Sequence, residues 1–428
     1  MRAMKDSGIE WIGEIPDEWN FVQTKRFFKN TKKIVGTEVD KYDRLALTLN
    51  GVIKRSKDDS EGLQPEKFEG YQILRKNELV FKLIDLENVK TSRVGLSPYT
   101  GLVSPAYIVL SNDLEDNRFF YYWFMFMYYN EVFNHLGGEG VRSALNAKDV
   151  LSLPVPDIES DKQCRIADYL DRKCSQIDAI IARQQEVIEK LKAYKLSIIT
   201  EAVTKGLNPN VPMKDSGVEW IGAIPEHWKM VRLKFLLSHI IDCPHETPIY
   251  SADGDYLVIR TADQDLGKLR AAEDMYRLDE GEYQNRIRRM PLEKDDIVYG
   301  REGERWGLAC FVPESNKYCL GQRMLQFRCK KESFLPRFAM WALNSRFVYL
   351  QGAVDTIGST SPHVNISTVR NFLIPVPDID EQQEIAEHID KKMLQLDKEV
   401  EHRELLICKL NEYKKSLIYE FVTGKRCN

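Results

Sequence analysis

Met4-Lys5-Asp6-Ser7-Gly8-Ile9-Glu10-Trp11-Ile12-Gly13-Glu14-Ile15-Pro16-Asp17-Glu18-Trp19 returns 209 residues later as Met213-Lys214-Asp215-Ser216-Gly217-Val218-Glu219-Trp220-Ile221-Gly222-Ala223-Ile224-Pro225-Glu226-His227-Trp228, identical at 12 of 16 positions. Identity at that level marks a duplicated unit, so the rest of the chain is read as two copies. A second landmark, Leu153-Pro154-Val155-Pro156-Asp157-Ile158, returns as Ile374-Pro375-Val376-Pro377-Asp378-Ile379. Behind each landmark the copies share residues at an offset of 219: Ile166-Ala167 with Ile385-Ala386, Asp171 with Asp390, Tyr194-Lys195 with Tyr413-Lys414, and Ser197 with Ser416. Glu201, Val203 and Thr204 match Glu420, Val422 and Thr423 at the same offset. The growth from 209 to 219 places ten extra residues in the body of the second copy. Between the landmarks the bodies, at about 26–150 and 235–371, share little. A common frame with divergent content calls for a functional reason.

The segments behind the landmarks read as long helices. Leu170, Cys174, Ile177, Ile181, Gln184, Ile188, Leu191, Lys195 and Ile198 step by alternating fours and threes, and Ile389, Met393, Leu396, Val400, Arg403, Ile407, Leu410, Lys414 and Leu417 do the same. That is a heptad seam, a narrow apolar stripe facing a partner helix. No proline interrupts 163–203 or 382–422, so each helix runs about 40 residues, or roughly 60 Å. The simplest partner for each is the other. Tandem copies related by a pseudo-two-fold would pair them antiparallel, as a ruler between two heads. The fold expected is therefore α+β: two mixed α/β domains joined by two long helices that form an intramolecular antiparallel coiled coil. The frame divides the chain into 1–152, 153–206, 207–373 and 374–428, alternating head and helix.

The 428 residues suggest about three folding units by length alone. With 43% hydrophobic and 29% charged residues the composition is that of an ordinary globular protein, and no apolar run approaches the roughly 20 residues of a membrane span. The N-terminal residues carry no apolar signal core, which makes the cytoplasm the expected location. The net charge of −4 argues mildly against a single-domain nucleic-acid binder, but it averages over segments with different tasks. Eight cysteines include no C-x-x-C pair and read as buried thiols rather than metal ligands.

Both bodies alternate short β-branched or aromatic runs with Gly, Pro and Asn punctuation. In the first these are Tyr71-Gln72-Ile73-Leu74, Leu79 to Leu83 and Ala106 to Leu110, followed by an aromatic helix near 119–133. In the second they are Tyr256 to Ile259, Asp296 to Tyr299, Ala309 to Val312 and Met324 to Phe327, then a helix near 336–349. The cluster Tyr121-Tyr122-Trp123-Phe124 suits a core better than a base-stacking platform. Basic residues concentrate locally: ten Lys or Arg against three acids between Val22 and Lys57, and Arg286, Arg288, Arg289, Arg301, Arg305 and Arg323 within 38 residues. Arginine suits phosphate and guanine contact through its planar fork. Nearby acids (Asp58, Asp59, Glu61; Glu302, Glu304) equally allow a solvated, balanced face.

No phosphate-loop, dinucleotide, adenine-methyltransferase, zinc-protease or nucleophile-elbow motif is present. Pro156-Asp157-Ile158-Glu159 lacks the following lysine of a nuclease site, and so does its twin at Pro377-Asp378. Seven histidines show no triad or metal spacing. The sequence reads as non-catalytic.

The duplicated Trp-Ile-Gly…Ile-Pro…Trp opener, the Pro-Val-Pro-Asp-Ile boundary before Gln and Ile-Ala, and the Tyr-Lys-x-Ser…Glu-x-Val-Thr helix end together resemble the specificity subunit of type I restriction–modification enzymes. The resemblance covers the whole chain. It departs in lacking a Pro-Pro at the boundary and in Asp161-Lys162-Gln163-Cys164, where the second copy has Glu381-Gln382-Gln383-Glu384. It implies two target-recognition domains, each reading one half of an asymmetric bipartite DNA sequence. The helices would set the spacer and dock two modification subunits, which bring S-adenosylmethionine; a restriction subunit would bring ATP and Mg. This chain would carry no cofactor of its own.

On that reading the expected DNA-contacting residues are Lys54, Arg55, Lys57, Arg93 and Arg142 in the first head, and Arg286, Arg288, Arg301, Arg305, Arg323 and His363 in the second. The expected docking-helix positions are Ile177, Ile181, Ile188, Leu191, Leu396, Val400, Ile407 and Leu410. Gly137-Gly138-Glu139-Gly140 and Gly358-Ser359-Thr360-Ser361 occupy equivalent places as loops before each boundary, and the opener tryptophans are expected to dock bodies to helices. A coiled-coil adaptor with two protein-binding heads is the alternative, and a stand-alone nuclease a weaker third.

Overall fold

The computed structural model describes residues 3–57, 67–84, 86, 93–136, 144–303, 305–354 and 362–426. The chain forms two compact units, Met1–Gln184 with Leu405–Asn428, and Gln185–Glu404. The landmarks divide the sequence into head and helix segments; compactness instead joins each head to half of both long helices.

In the first unit the opener is a hairpin, Met4–Asp6 against Glu14–Pro16. Gly13, at φ +72°, closes its turn by accepting a hydrogen bond from the Ser7 amide. The next strand, Asn20–Gln23, pairs antiparallel with the boundary strand Pro154–Asp157. Ile12, Ile15 and Trp19 share one core with Leu417, Ile418, Phe421 and Val422 at the end of the second long helix. Gly424, just past that end at φ +72°, lies so close that a Cβ there would come within 2.9 Å of the Trp19 ring and 2.7 Å of Pro16.

The second unit repeats the frame. Met213–Asp215 pairs with Ala223–Pro225, and Lys229–Arg232 with Leu373–Val376. Ile221, Ile224 and Trp228 pack with Ile199, Ala202 and Val203 at the end of the first long helix. The Trp228 indole donates to Glu381 Oε2 at 2.8 Å and lies over Gly206, also at φ +72°. Each opener thus docks on the C-terminal end of the other copy's helix. Trp11 meets Trp123 and Phe126 at ring distances of 6.3 and 5.8 Å, whereas its equivalent Trp220 is 42% exposed.

The long helices span Ser160–Lys205 and Ile379–Val422. Within the first unit they run antiparallel: Tyr169 stacks on Phe421 at 4.3 Å, and Lys414 pairs with Asp178 at 2.7 Å. Within the second unit Lys195 pairs with Asp397, which Lys268 also reaches at 2.5 Å. At the repeat offset Asp178 corresponds to Asp397 and Lys195 to Lys414, so the two bridges are copies of one contact. Burial pushes the Asp397 carboxyl up, but the two lysines outweigh it and hold it below the usual aspartate range. The lysine of each seam is thereby met by an aspartate of the opposing helix, while Arg403 pairs with Glu399 on its own helix.

Matching anchors tie each body to its helix. In the first, Arg118 on the helix Arg118–Tyr129 binds Asp171 at 2.7 Å, and the Tyr122 hydroxyl donates to the same carboxylate at 2.7 Å. In the second, Arg337 on the helix Pro336–Leu343 binds Asp390 at 2.5 Å, and the Trp341 indole donates to it at 2.9 Å. All three pairs of residues stand at the offset of 219. The repeat therefore reaches into bodies whose sequences show little of it.

The first body holds a four-stranded sheet, in the order Gly51–Arg55, Asp43–Thr48, Gly101–Val103 and Gln72–Leu74, and a three-stranded one of Ile108–Leu110, Leu79–Lys82 and Arg93–Leu96. Tyr122, Trp123 and Phe124 are core residues, and the Trp123 indole donates to Pro154 O at 2.9 Å. The second body is built on Leu237–Asp242, Met324–Cys329, Ile297–Gly300 and Ala309–Phe311. The helix expected near 336–349 is two, Pro336–Leu343 and Arg346–Ala353. Asn344 separates them because its amide donates to Ala309 O and Met340 O and accepts from the Ala309 amide, which fastens the helix end to a strand.

The seven described cysteines are free thiols, five of them buried; burial pushes that of Cys310 up to about 12. Among the described residues no helix is long and apolar enough to cross a membrane, and no group of three or more His, Cys, Asp or Glu is placed to hold a metal ion.

Candidate nucleic-acid interface

In the first head Lys54 and Arg55 lie on the edge strand of the four-stranded sheet, Lys57 just beyond it, and Arg93 on the edge strand of the three-stranded one. Along Gly51–Arg55 Val52 is buried while Lys54, two residues on toward the strand end, is exposed; it pairs with Asp43 at 2.7 Å and lies over the Tyr99 ring. Arg55 stands across the ladder from the buried Arg44, and Arg93 across from Lys82. Tyr107 reports how close these groups come. Burial, with Tyr71, pushes its phenol up, while Arg93, Arg44 and Arg55 pull it back. The Lys57 ammonium donates to Val39 O at 2.8 Å, which holds the strand end against the preceding turn. Arg142 and the loop 137–140 lie outside the described residues.

In the second head three side chains converge on Asp242, the last residue of the strand Leu237–Asp242. Arg301, 7% exposed, reaches its carboxylate with Nε at 3.4 Å, His245 meets it at 3.0 Å, and Arg289 donates to its backbone carbonyl at 2.8 Å. The Arg301 amide donates to Arg323 O, and the Val364 amide to Arg301 O. Glu302 bridges to His363 through the backbone and pairs with Arg323 Nε at 3.3 Å. The structure thus joins Arg301, Arg323 and His363, adding Arg289 and His245 to the expected group. Acids hold both guanidinium groups in place, and their exposure differs: the Arg323 side chain is 48% exposed, whereas that of Arg301 is buried at 9%.

The other expected residues sit differently. Arg288 is exposed on the turn after the helix Glu280–Arg286. Arg305 is exposed and donates to Ala262 O at 3.4 Å, beside the stacked Trp306 and Tyr349. Arg286 is 4% exposed, and its guanidinium is occupied by the carbonyls of Leu320, Glu246 and Pro244. Its place is under the surface, where the guanidinium fastens backbone and is not open to a phosphate or base. The segment 358–361 lies outside the described residues.

The helix positions also need sorting. Ile177 and Ile188 are buried, and Ile181, Leu191, Leu396, Val400, Ile407 and Leu410 are partly buried. Ile177, Ile181 and Leu410 pack in the core of the first unit, and Leu396 against that of the second. These residues serve the chain's own helix packing. The outward apolar residues are others: Ile180, Tyr194, Leu196, Leu394, Leu405 and Tyr413. Of these, Tyr194 and Tyr413 are equivalents at the offset of 219, a signal readable from the repeat.

Comparison with known proteins agrees with this architecture. Residues 225–405 match the type I restriction modification DNA specificity domain. The MjaVIII type I restriction enzyme specificity subunit of Methanocaldococcus jannaschii is 25% identical over 64% of this chain and 62% of its own length, so the match spans less than two thirds of that relative. The putative MjaX specificity subunit of the same organism is 21% identical over 97% of this chain and 95% of its own length. A chain from a solved type I R-M system, studied for complex assembly and conformational transition, overlays with a TM-score of 0.66 at 13% identity, covering 95% of this chain and 98% of that one. At that identity the overlay concerns the fold alone. With the matched domain, the duplicated frame that encloses it and the end-to-end match to a specificity subunit, the chain is similar to type I restriction–modification specificity subunits.

Proposed function

We propose that this chain is the DNA-reading subunit of a type I restriction–modification complex. The segments 1–152 and 207–373 act as two target-recognition domains, each reading one half of an asymmetric bipartite sequence. The segments 153–206 and 374–428 set the spacer. The observation that carries this reading is that equivalent anchors, Arg118 and Tyr122 on Asp171 and Arg337 and Trp341 on Asp390, hold two heads whose basic clusters are built from different strands. One frame presenting two different surfaces is what an asymmetric two-part target requires, since duplex DNA is itself two-fold.

In the first head Lys54, Arg55, Lys57 and Arg93, with Arg142, are assigned to DNA; in the second, Arg288, Arg301, Arg305, Arg323 and His363. Two modification subunits dock on the helices, with Tyr194 and Tyr413 as equivalent footholds. They supply S-adenosylmethionine and the methyl-transfer chemistry, and a restriction subunit supplies ATP- and Mg-dependent cleavage. This chain contributes position and sequence choice, and no bond-making step is assigned to its residues. It works in the cytoplasm, where its DNA is.

Phosphate contact makes binding salt-dependent, because each neutralised phosphate releases counterions. For six to ten contacts, affinity for duplex DNA should fall by about 10³–10⁵-fold between roughly 50 and 200 mM salt. Fluorescence anisotropy with a labelled duplex checks this. An adaptor with protein-binding heads would show no such slope, and a flat response would remove the DNA-reading proposal.

A further inference from the structure

The sequence singles out Arg286 for its charge, and the structure gives that charge an unexpected setting. Its guanidinium donates to Leu320 O at 2.8 and 3.2 Å, to Glu246 O at 2.8 Å and to Pro244 O at 3.2 Å. Among the described residues no carboxylate lies within ion-pair distance of it. Burying an unpaired charge is costly unless its donors are filled, and here carbonyl dipoles fill them. One side chain therefore ties the segment 244–246 to Leu320, the residue before the turn 321–323. A second tie crosses the same gap: the Gln322 amide donates to His245 O at 3.0 Å and to Thr247 Oγ1 at 3.2 Å. A third is the Cys243 amide, donating to Met324 O at 3.1 Å.

What these ties hold still is polar and outward. His245, Glu246, Thr247, Ile249 and Tyr250 are exposed. Arg323 stands beside them at φ +70°, a left-handed backbone conformation that long side chains rarely adopt and that concentrates at functional sites. A plain connector between strands needs no triple fastening. A recognition loop gains from it, since side chains on a fixed backbone lose less freedom on binding. The Gln322 amide oxygen accepts no hydrogen bond among the described residues, which suits the amino group of adenine or cytosine in the major groove. Arg289, Arg301 and His363 flank the same place through Asp242 and Glu302.

We propose that the segment 244–250 and the turn 321–323 form one preorganised element that reads base edges in the second head's half-site. Gln322, His245 and Thr247 determine specificity, and Arg286 is a positioning residue that touches no DNA. This rests on the proposed DNA-reading function and names where in the second head it resides.

The test uses the full chain, purified with its modification subunits, to select from duplexes carrying a randomised stretch; sequencing the bound fraction gives the motif. Gln322→Ala should lose about tenfold or more discrimination at one or two base pairs of one half-motif, leaving the other half as in the parent. Arg286→Lys keeps the charge and loses the fork. It should blur those same base pairs while the salt dependence of binding stays that of the parent, because no phosphate contact is removed. A shallower salt slope for Arg286→Lys would overturn the positioning role. If Arg286→Lys fails to fold, Gln322→Ala carries the test alone. An unchanged motif for Gln322→Ala overturns the proposal and leaves the two-part reading standing, whereas a parent protein that selects no two-part motif overturns both.

Discussion

Trp228→Ala should lower the stability of the second unit by about 3–5 kcal/mol, the usual cost of removing a fully enclosed indole. Trp228 is 0% exposed, packs over Gly206 at the end of the first long helix, and donates to Glu381 at the start of the second. Its loss opens a cavity among Ile199, Ile221, Ile224 and Val203 and takes one hydrogen bond from the Glu381 carboxylate. Urea unfolding followed by far-ultraviolet circular dichroism checks the effect, read as an early transition, because two units need not unfold together. Trp220→Ala is the internal control. It lies in the same opener but is 42% exposed, so it should cost about 1 kcal/mol or less. Equal effects from the two substitutions would remove the docking role assigned to Trp228.

The double substitution of Arg301 and Arg323 by alanine should weaken binding to the specific target by about 2–6 kcal/mol, two guanidinium contacts at roughly 1–3 kcal/mol each. Both arginines converge through Arg301's amide on Arg323 O, and both are held by acids, Asp242 and Glu302. Removing them deletes two donors and leaves those carboxylates facing the DNA. The sign of both changes is the same. Competition binding against duplexes altered in one half-site at a time should show the loss confined to one half. Lys54→Ala, on an exposed strand edge of the other head, should weaken binding by about 1 kcal/mol or less without selecting one base over another. Equal loss of both half-sites in the double variant would indicate damage to folding rather than to reading.

The frame was legible because it is written twice. Two openers, two boundaries and two heptad seams predict a repeated frame with helices of about 40 residues, which run to 46 and 44, and most β-branched runs became the strands expected; that the openers are hairpins and the boundaries strands is not in the repeat itself. The anchors on Asp171 and Asp390 obey the same offset, yet they escape notice because Tyr122 and Trp341 differ in kind while doing one task. The heptad seam tells which residues face a helix, not which helix, so Ile177 and Ile188 read equally well as docking residues and as the core they are. Charge is the least legible of all. Nothing in the type of Arg286 distinguishes a guanidinium that meets phosphate from one that fastens three carbonyls, and only the path of the chain decides.

Under the proposed function the two heads of this chain read two halves of one DNA sequence. Single-molecule sequencing of DNA from a host expressing the chain with its modification and restriction subunits tests it most directly. The expected result is N6-methyladenine at one new motif split by a fixed, unspecified spacer, absent from the host without the chain. Methylation at a continuous motif, or no new methylation at all, would contradict it.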